Sequence, residues 1–171
     1  MSEFHVIPIG EGLVIPEFAF RLLMAAVLGF LMGVERAFRQ KVASLRTFAI
    51  ISVGSCLFTV LSIEAYSGVS SNAFDVTRIA SGIVTGIGFV GGGVIFKTAD
   101  RIEGITTGVM IWLAAGLGMA CGFGQFGIAL WSFFIYVGIF VVAAIAYRVI
   151  SFIHLRILRT PIEQMRYAKP H

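Results

Sequence analysis

The feature that most restricts this chain is an apolar run, recurring along its whole length, that is long enough to cross a lipid bilayer. A helix needs roughly 20 residues, rising about 1.5 Å each, to span the hydrocarbon. Only helices and closed barrels satisfy the backbone there, and continuous rather than alternating apolar runs select helices. Of the 171 residues, 58% are apolar and 13% charged, whereas soluble domains run nearer a quarter charged. The sequence therefore predicts an all-α membrane protein, a bundle of about five transmembrane helices over 18–34, 47–66, 75–96, 105–122 and 128–150.

Three regions follow from that reading. Residues 1–17, with Pro8, Pro16, Gly10 and Gly12, form a periplasmic or interfacial lead-in; 18–150 is the five-helix domain; 151–171 is a basic cytoplasmic tail. The start lacks the basic segment and the cleavage site of a signal peptide, so the first span is read as retained. No internal repeat supports an inverted-repeat transporter. With the N-terminus outside, eleven of the 13 basic residues fall on inner segments, leaving Arg21 and Arg78 outside. The positive-inside rule then sets the chain N-out and C-in. Basic residues at the ends of apolar runs explain the net charge of +4 as headgroup anchoring, not nucleic-acid binding.

Glycines recur at helical spacing: Gly29 and Gly33 in the first span, Gly82 to Gly93 in the third, and Gly104 to Gly122 in the fourth. In lipid, small residues let backbones approach closely, so these faces are expected to pack helices or to receive another helix. The run Gly86-Ile87-Gly88-Phe89-Val90-Gly91 sits mid-membrane, not between a strand and a helix, and is no phosphate loop.

Ionisable groups in or beside a membrane need a partner or a purpose. Arg21 is expected to snorkel outward, with Glu64 pairing to it and Asp75 capping the third helix. Glu35 and Arg46 bracket a short inner loop and are expected to pair, meeting Thr47, Lys97, Asp100, Arg101 and Glu103 at that face. Cys56 and Cys121 read as small hydrophobes. No nucleophile–base pair or zinc motif is present, and His5, His154 and His171 lie in the termini. An enzyme is not expected, nor a cofactor.

Gly33-Val34-Glu35-Arg36, Ser44-Leu45-Arg46-Thr47, Asp75-Val76-Thr77-Arg78-Ile79-Ala80, Gly86 to Gly93, and Glu103-Gly104-Ile105-Thr106-Thr107-Gly108 with Trp112 together resemble the MgtC/SapB family over roughly 18–150. The resemblance implies a multi-pass protein of the bacterial inner membrane, from a family with virulence-associated members. It also implies a role in magnesium homeostasis and stress adaptation, exercised by modulating other membrane complexes, the proton-translocating ATP synthase among them. Matching positions are Glu35, Arg36, Arg46, Thr47, Asp75, Arg78, Gly86, Gly88, Gly91, Thr106, Thr107 and Trp112. Phe48 stands where the family places His or Asn, Val76 where it often has Pro, and Gly82 where Gln is common. A long C-terminal domain is not expected here, which makes the chain SapB-like.

The function expected is thus a non-enzymatic regulator acting through helix–helix contacts, as a homo-oligomer or with a second complex. The alternative is an oligomeric channel or transporter for a cation such as Mg²⁺ or for a small solute. Glu35, Glu64 and Asp75 would then be ligands, since Mg²⁺ sites use only one or two carboxylates and retained water.

Overall fold

A computed structural model describes the backbone of residues 6–8, 14–38, 43, 45–67, 77–99 and 101–167, and the side chains of 16–38, 43, 45–65, 78–99 and 101–153. The elements run β1 (Val6–Pro8), β2 (Val14–Pro16), α1 (Glu17–Phe38), α2 (Leu45–Ser67), α3 (Thr77–Gly93), β3 (Phe96–Lys97), β4 (Ile102–Glu103), α4 (Ile105–Gly122) and α5 (Phe126–Tyr167). Asp75 and Asp100, and the side chains of the basic tail, lie outside the described residues. Among the described residues four helices, α1, α2, α4 and α5, are long and apolar enough to cross a membrane. The chain is an all-α membrane protein.

The fourth span falls where the sequence placed it. The third is shorter than expected, ending at Gly93 instead of residue 96. Three consecutive glycines at 91–93 are poor helix formers, and the β-branched Val94 and Ile95 after them favour extended backbone. Its 17 residues rise only about 25 Å. The segment read as a charged turn is a small antiparallel hairpin pairing Phe96 with Glu103 and Lys97 with Ile102. The Thr98 amide donates to the Arg101 carbonyl at 2.9 Å.

The chain divides into two units, one reaching to Phe133 and one starting at Phe134. In the first, α2 packs on both α1 and α4, and α3 rests mainly on α4 with only light contact to α2. Its core includes Ala25, Met32, Phe48, Cys56, Ile111 and Leu117. Phe48, where the family has a polar residue, is completely buried; it serves packing, not polar chemistry. The second unit is the body of α5, with the Tyr136 and Phe140 rings in tilted contact at a centroid distance of 4.9 Å. Its flanks carry exposed Ile, Val and Phe side chains, as expected of a helix solvated by lipid.

Glycine divides into two kinds in the first unit. At Gly29 an added Cβ would meet the Phe48 carbonyl oxygen at 2.6 Å and the Ser52 Cβ at 2.8 Å; at Gly118 it would meet the Ser52 carbonyl oxygen at 2.0 Å. Helices α1, α2 and α4 therefore converge on Ser52. Gly122 lies equally close to Thr59 and Cys56, and Gly91 and Gly108 oppose each other where α3 crosses α4. By contrast Gly82, Gly86, Gly88 and Gly116 have nothing within 4 Å of an added Cβ.

The α4–α5 turn is a Schellman motif. The Gly124 amide donates to the Cys121 carbonyl at 2.9 Å and the Gln125 amide to the Ala120 carbonyl at 2.8 Å. Gly124 has φ +72°, where an L side chain costs roughly 1–2 kcal/mol. Gly124→Ala is accordingly expected to lower stability by about that much, read as an earlier midpoint in detergent–SDS unfolding titrations.

Candidate functional site

Arg36, Thr106 and Thr107 of the residues singled out in the sequence line one cavity, and Arg78 and Gly86 line another. At one end of the bundle, the last turn of α1, the β3–β4 hairpin and the first turn of α4 enclose a cavity of about 750 Å³. It is lined by Arg36, Arg101, Glu103, Gly104, Thr106 and Thr107 with the apolar Val94, Phe96, Ile102 and Ile105. Gly104 makes the junction possible. Its φ is +88°, and an added Cβ would sit 1.8 Å from the Val94 carbonyl oxygen.

The charges here pair differently from the sequence expectation. Glu35 accepts from Nε of its neighbour Arg36 at 2.5 Å, not from Arg46, which stands exposed at the start of α2. Arg36 is buried, and its pair with the adjacent Glu35 supplies a counter-charge that a buried guanidinium needs. Arg101 and Glu103 form a more exposed pair at 3.1 Å. Thr106 is exposed while Thr107 is buried, so the two adjacent threonines face opposite ways. Thr47 is half-buried on α2.

The second place is a cleft of about 580 Å³ between α2 and α3, lined by Ile50, Gly54, Phe58, Arg78, Gly82 and Gly86 among others. It is the gap left where α3 leans away from α2. Gly86 borders it and Gly88 is open on the exposed flank of α3, whereas Gly91 is consumed by the crossing with Gly108. Trp112 is exposed on α4 and so faces outward from the bundle.

At the opposite end Arg21 does something the sequence reading did not foresee. It does not pair with Glu64. Its guanidinium holds Glu17 one turn away and donates from Nη1 to the Gly122 carbonyl at 2.6 Å, satisfying an orphan acceptor of the last turn of α4. Phe20 and Phe126 meet edge to face beside it, centroids 5.3 Å apart. Glu64 is exposed near the end of α2.

A buried polar seam on α2 was also missed. Ser52, Ser55, Thr59 and Ser62 are all buried, and Thr59 donates back to the Ser55 carbonyl at 2.8 Å. Their spacing of three, four and three residues was the available signal, since it places all four on one helical face. Among the described residues no group of three or more His, Cys, Asp or Glu side chains could hold a metal ion. Of the three suggested ligands, Asp75 lies outside the described residues, and Glu35 and Glu64 sit on different helices, the first bound to Arg36.

Comparison with known proteins decides the family. The family model for the MgtC family matches residues 22–159, spanning all of α2, α3 and α4 and most of α1 and α5. The chain belongs to the MgtC family. It is 38% identical over 120 residues to Protein MgtC of Salmonella typhimurium, covering 70% of this chain and 49% of that one. To Protein SapB of Bacillus subtilis it is 40% identical over 113 residues, covering 64% and 49%. An uncharacterized protein of Haemophilus influenzae is 44% identical over 109 residues, covering 61% and 46%. The chain spans about half the length of these curated relatives. No solved structure matches it. Within this MgtC-family domain, the convergence of α1, α2 and α4 on Ser52, the Gly91–Gly108 crossing and the cavity at the start of α4 all lie inside the matched region.

Proposed function

We propose that this chain is a non-enzymatic protein of the bacterial inner membrane that serves magnesium homeostasis by contact with other membrane complexes, or with further copies of itself. In this reading α3 is the fifth span, short enough to draw the bilayer thin around it, and the chain lies N-out and C-in. One observation carries the proposal: the glycines of α3 are not used up in holding the bundle together. Gly82, Gly86 and Gly88 border no atom within 4 Å of an added Cβ, and most of the helix is exposed. Glycine weakens a helix by about 1 kcal/mol per residue relative to Ala. Retaining several on an open surface makes physical sense where another backbone is to come close. The ATP synthase is the partner implied by the family, and the homologues named MgtC supply the magnesium context.

The test uses Gly86→Leu and Gly88→Leu. Both sites have room, so each variant is expected to be inserted and folded to the same extent as the parent. Growth of a strain dependent on this chain should fall toward the deletion level when magnesium is limiting, together with the yield of in vivo crosslinked partner. Unchanged growth and unchanged crosslinking in both variants would sink the reading.

A further inference from the structure

We infer that the cavity at the start of α4 binds a phosphate group. The amides of Ile105, Thr106 and Thr107 have no hydrogen-bond partner among the described residues, and the helical ladder begins with the Gly108 amide donating to the Gly104 carbonyl at 2.9 Å. Gly104 at the N-cap supplies no side-chain acceptor. This helix therefore starts uncapped, with three donors and the positive end of its dipole directed at the cavity, which is the arrangement that holds oxyanions.

A second observation points the same way. Thr107 lines the cavity and is 7% exposed, yet its hydroxyl has no hydrogen-bond partner among the described residues. A threonine in a helix usually bonds back to the preceding turn, as Thr59 and Thr85 do here; Thr107 does not. Its hydroxyl is available to whatever occupies the space.

Charge permits an anion and favours a phosphate. Glu35 and Glu103 are each ion-paired, to Arg36 and Arg101. A guanidinium carries five N–H donors, and Arg101, largely exposed, keeps some beyond its 3.1 Å pair with Glu103. Amides, a hydroxyl and the Arg101 guanidinium lining one cavity suit a tetrahedral oxyanion with several acceptor oxygens. Arg36 and Arg101 line the site and Lys97 stands in the β3 strand beside it, a basic end suited to headgroup level. A lipid phosphate or a free phosphate could each reach it, and the chemistry that holds them is the same.

Two arms separate the sources. The full chain in a neutral detergent is dialysed against radiolabelled inorganic phosphate, and in parallel is examined by native mass spectrometry after mixing with phosphatidic acid or phosphatidylcholine. Saturable binding of phosphate supports a soluble ligand; preferential retention of phosphatidic acid supports a headgroup. Thr107→Val should weaken whichever is bound by about tenfold, the worth of one charge-assisted hydrogen bond, and Thr107→Ser should restore it. Absence of both signals, or parental binding by Thr107→Val, overturns the inference. Should Thr107→Val not fold, Arg101→Gln carries the test: it lies outside the helix, should weaken binding severalfold, and unchanged binding would overturn the inference equally.

Discussion

Gly118→Val is expected to destabilise the bundle by about 3 kcal/mol or more. The added Cβ would lie 2.0 Å from the Ser52 carbonyl oxygen and 2.8 Å from its carbon, and backbone atoms cannot rotate out of the way as a flexible side chain can. Helices α2 and α4 would have to separate by more than an ångström, which also opens the contact of Gly122 with Thr59 and disturbs Gly29 against Phe48 and Ser52. In lipid this separation is not resisted by a hydrophobic force, because tails replace side chains without penalty. The contact itself supplies the attraction, so losing it is not offset. Overpacking commonly costs about 1–3 kcal/mol, and a site locked on three helices belongs at or beyond the upper end. Against a total stability of about 5–15 kcal/mol, that is enough to shift extracted protein from a monodisperse peak to aggregate in size exclusion. Gly116→Ala, on the same helix with open space, should be neutral or stabilising by up to about 1 kcal/mol. Equal behaviour of the two variants would refute the close-approach account.

Arg21→Gln is expected to cost about 1.5–3 kcal/mol, the range for hydrogen bonds made by a charged donor. Arg21 joins the first turn of α1 to the final turn of α4, 101 residues apart in sequence, and its side chain is 18% exposed. Glutamine is too short and too poor in donors to reach both Glu17 and the Gly122 carbonyl. Lysine keeps the charge but offers no planar fork, and is expected to recover only part of the loss. In an SDS titration the order of midpoints should be parent, then Arg21→Lys, then Arg21→Gln. If Glu17→Gln and Arg21→Gln are additive when combined, the coupling described here is absent.

How far the sequence could be read depended on range. Apolar runs are local, and they located α1, α2 and α4 to within a few residues, with α4 placed on its observed bounds. The family motifs could be recognised because their order and spacing are one-dimensional. The two kinds of glycine could not be told apart, because Gly86 and Gly118 have the same local pattern and differ only in what lies across from them. Arg21 failed for the same reason: its partner on α4 is remote, while the charge expected for it, Glu64, looked nearer in a layer drawn from hydropathy. Glu35 took the adjacent Arg36 over Arg46 across the loop, a choice fixed by which arginine is buried. The β3–β4 hairpin was invisible because two-residue strands carry no periodicity.

The crossing of α3 on α4 has a mechanical meaning. Gly91 and Gly108 touch through bare backbone, with an added Cβ at Gly108 only 2.7 Å from the Gly91 carbonyl oxygen. Elsewhere in a protein interior interdigitated side chains act as teeth, and rotation of one element on another must lift them out of register. At the Gly91–Gly108 contact itself there are no such teeth, and the side chain nearest to it is Ile95, 3.3 Å from a Cβ added at Gly108. The crossing therefore works as a bearing: it fixes the distance between the two helices while leaving the tilt of α3 to be set by whatever fills the gap beside α2.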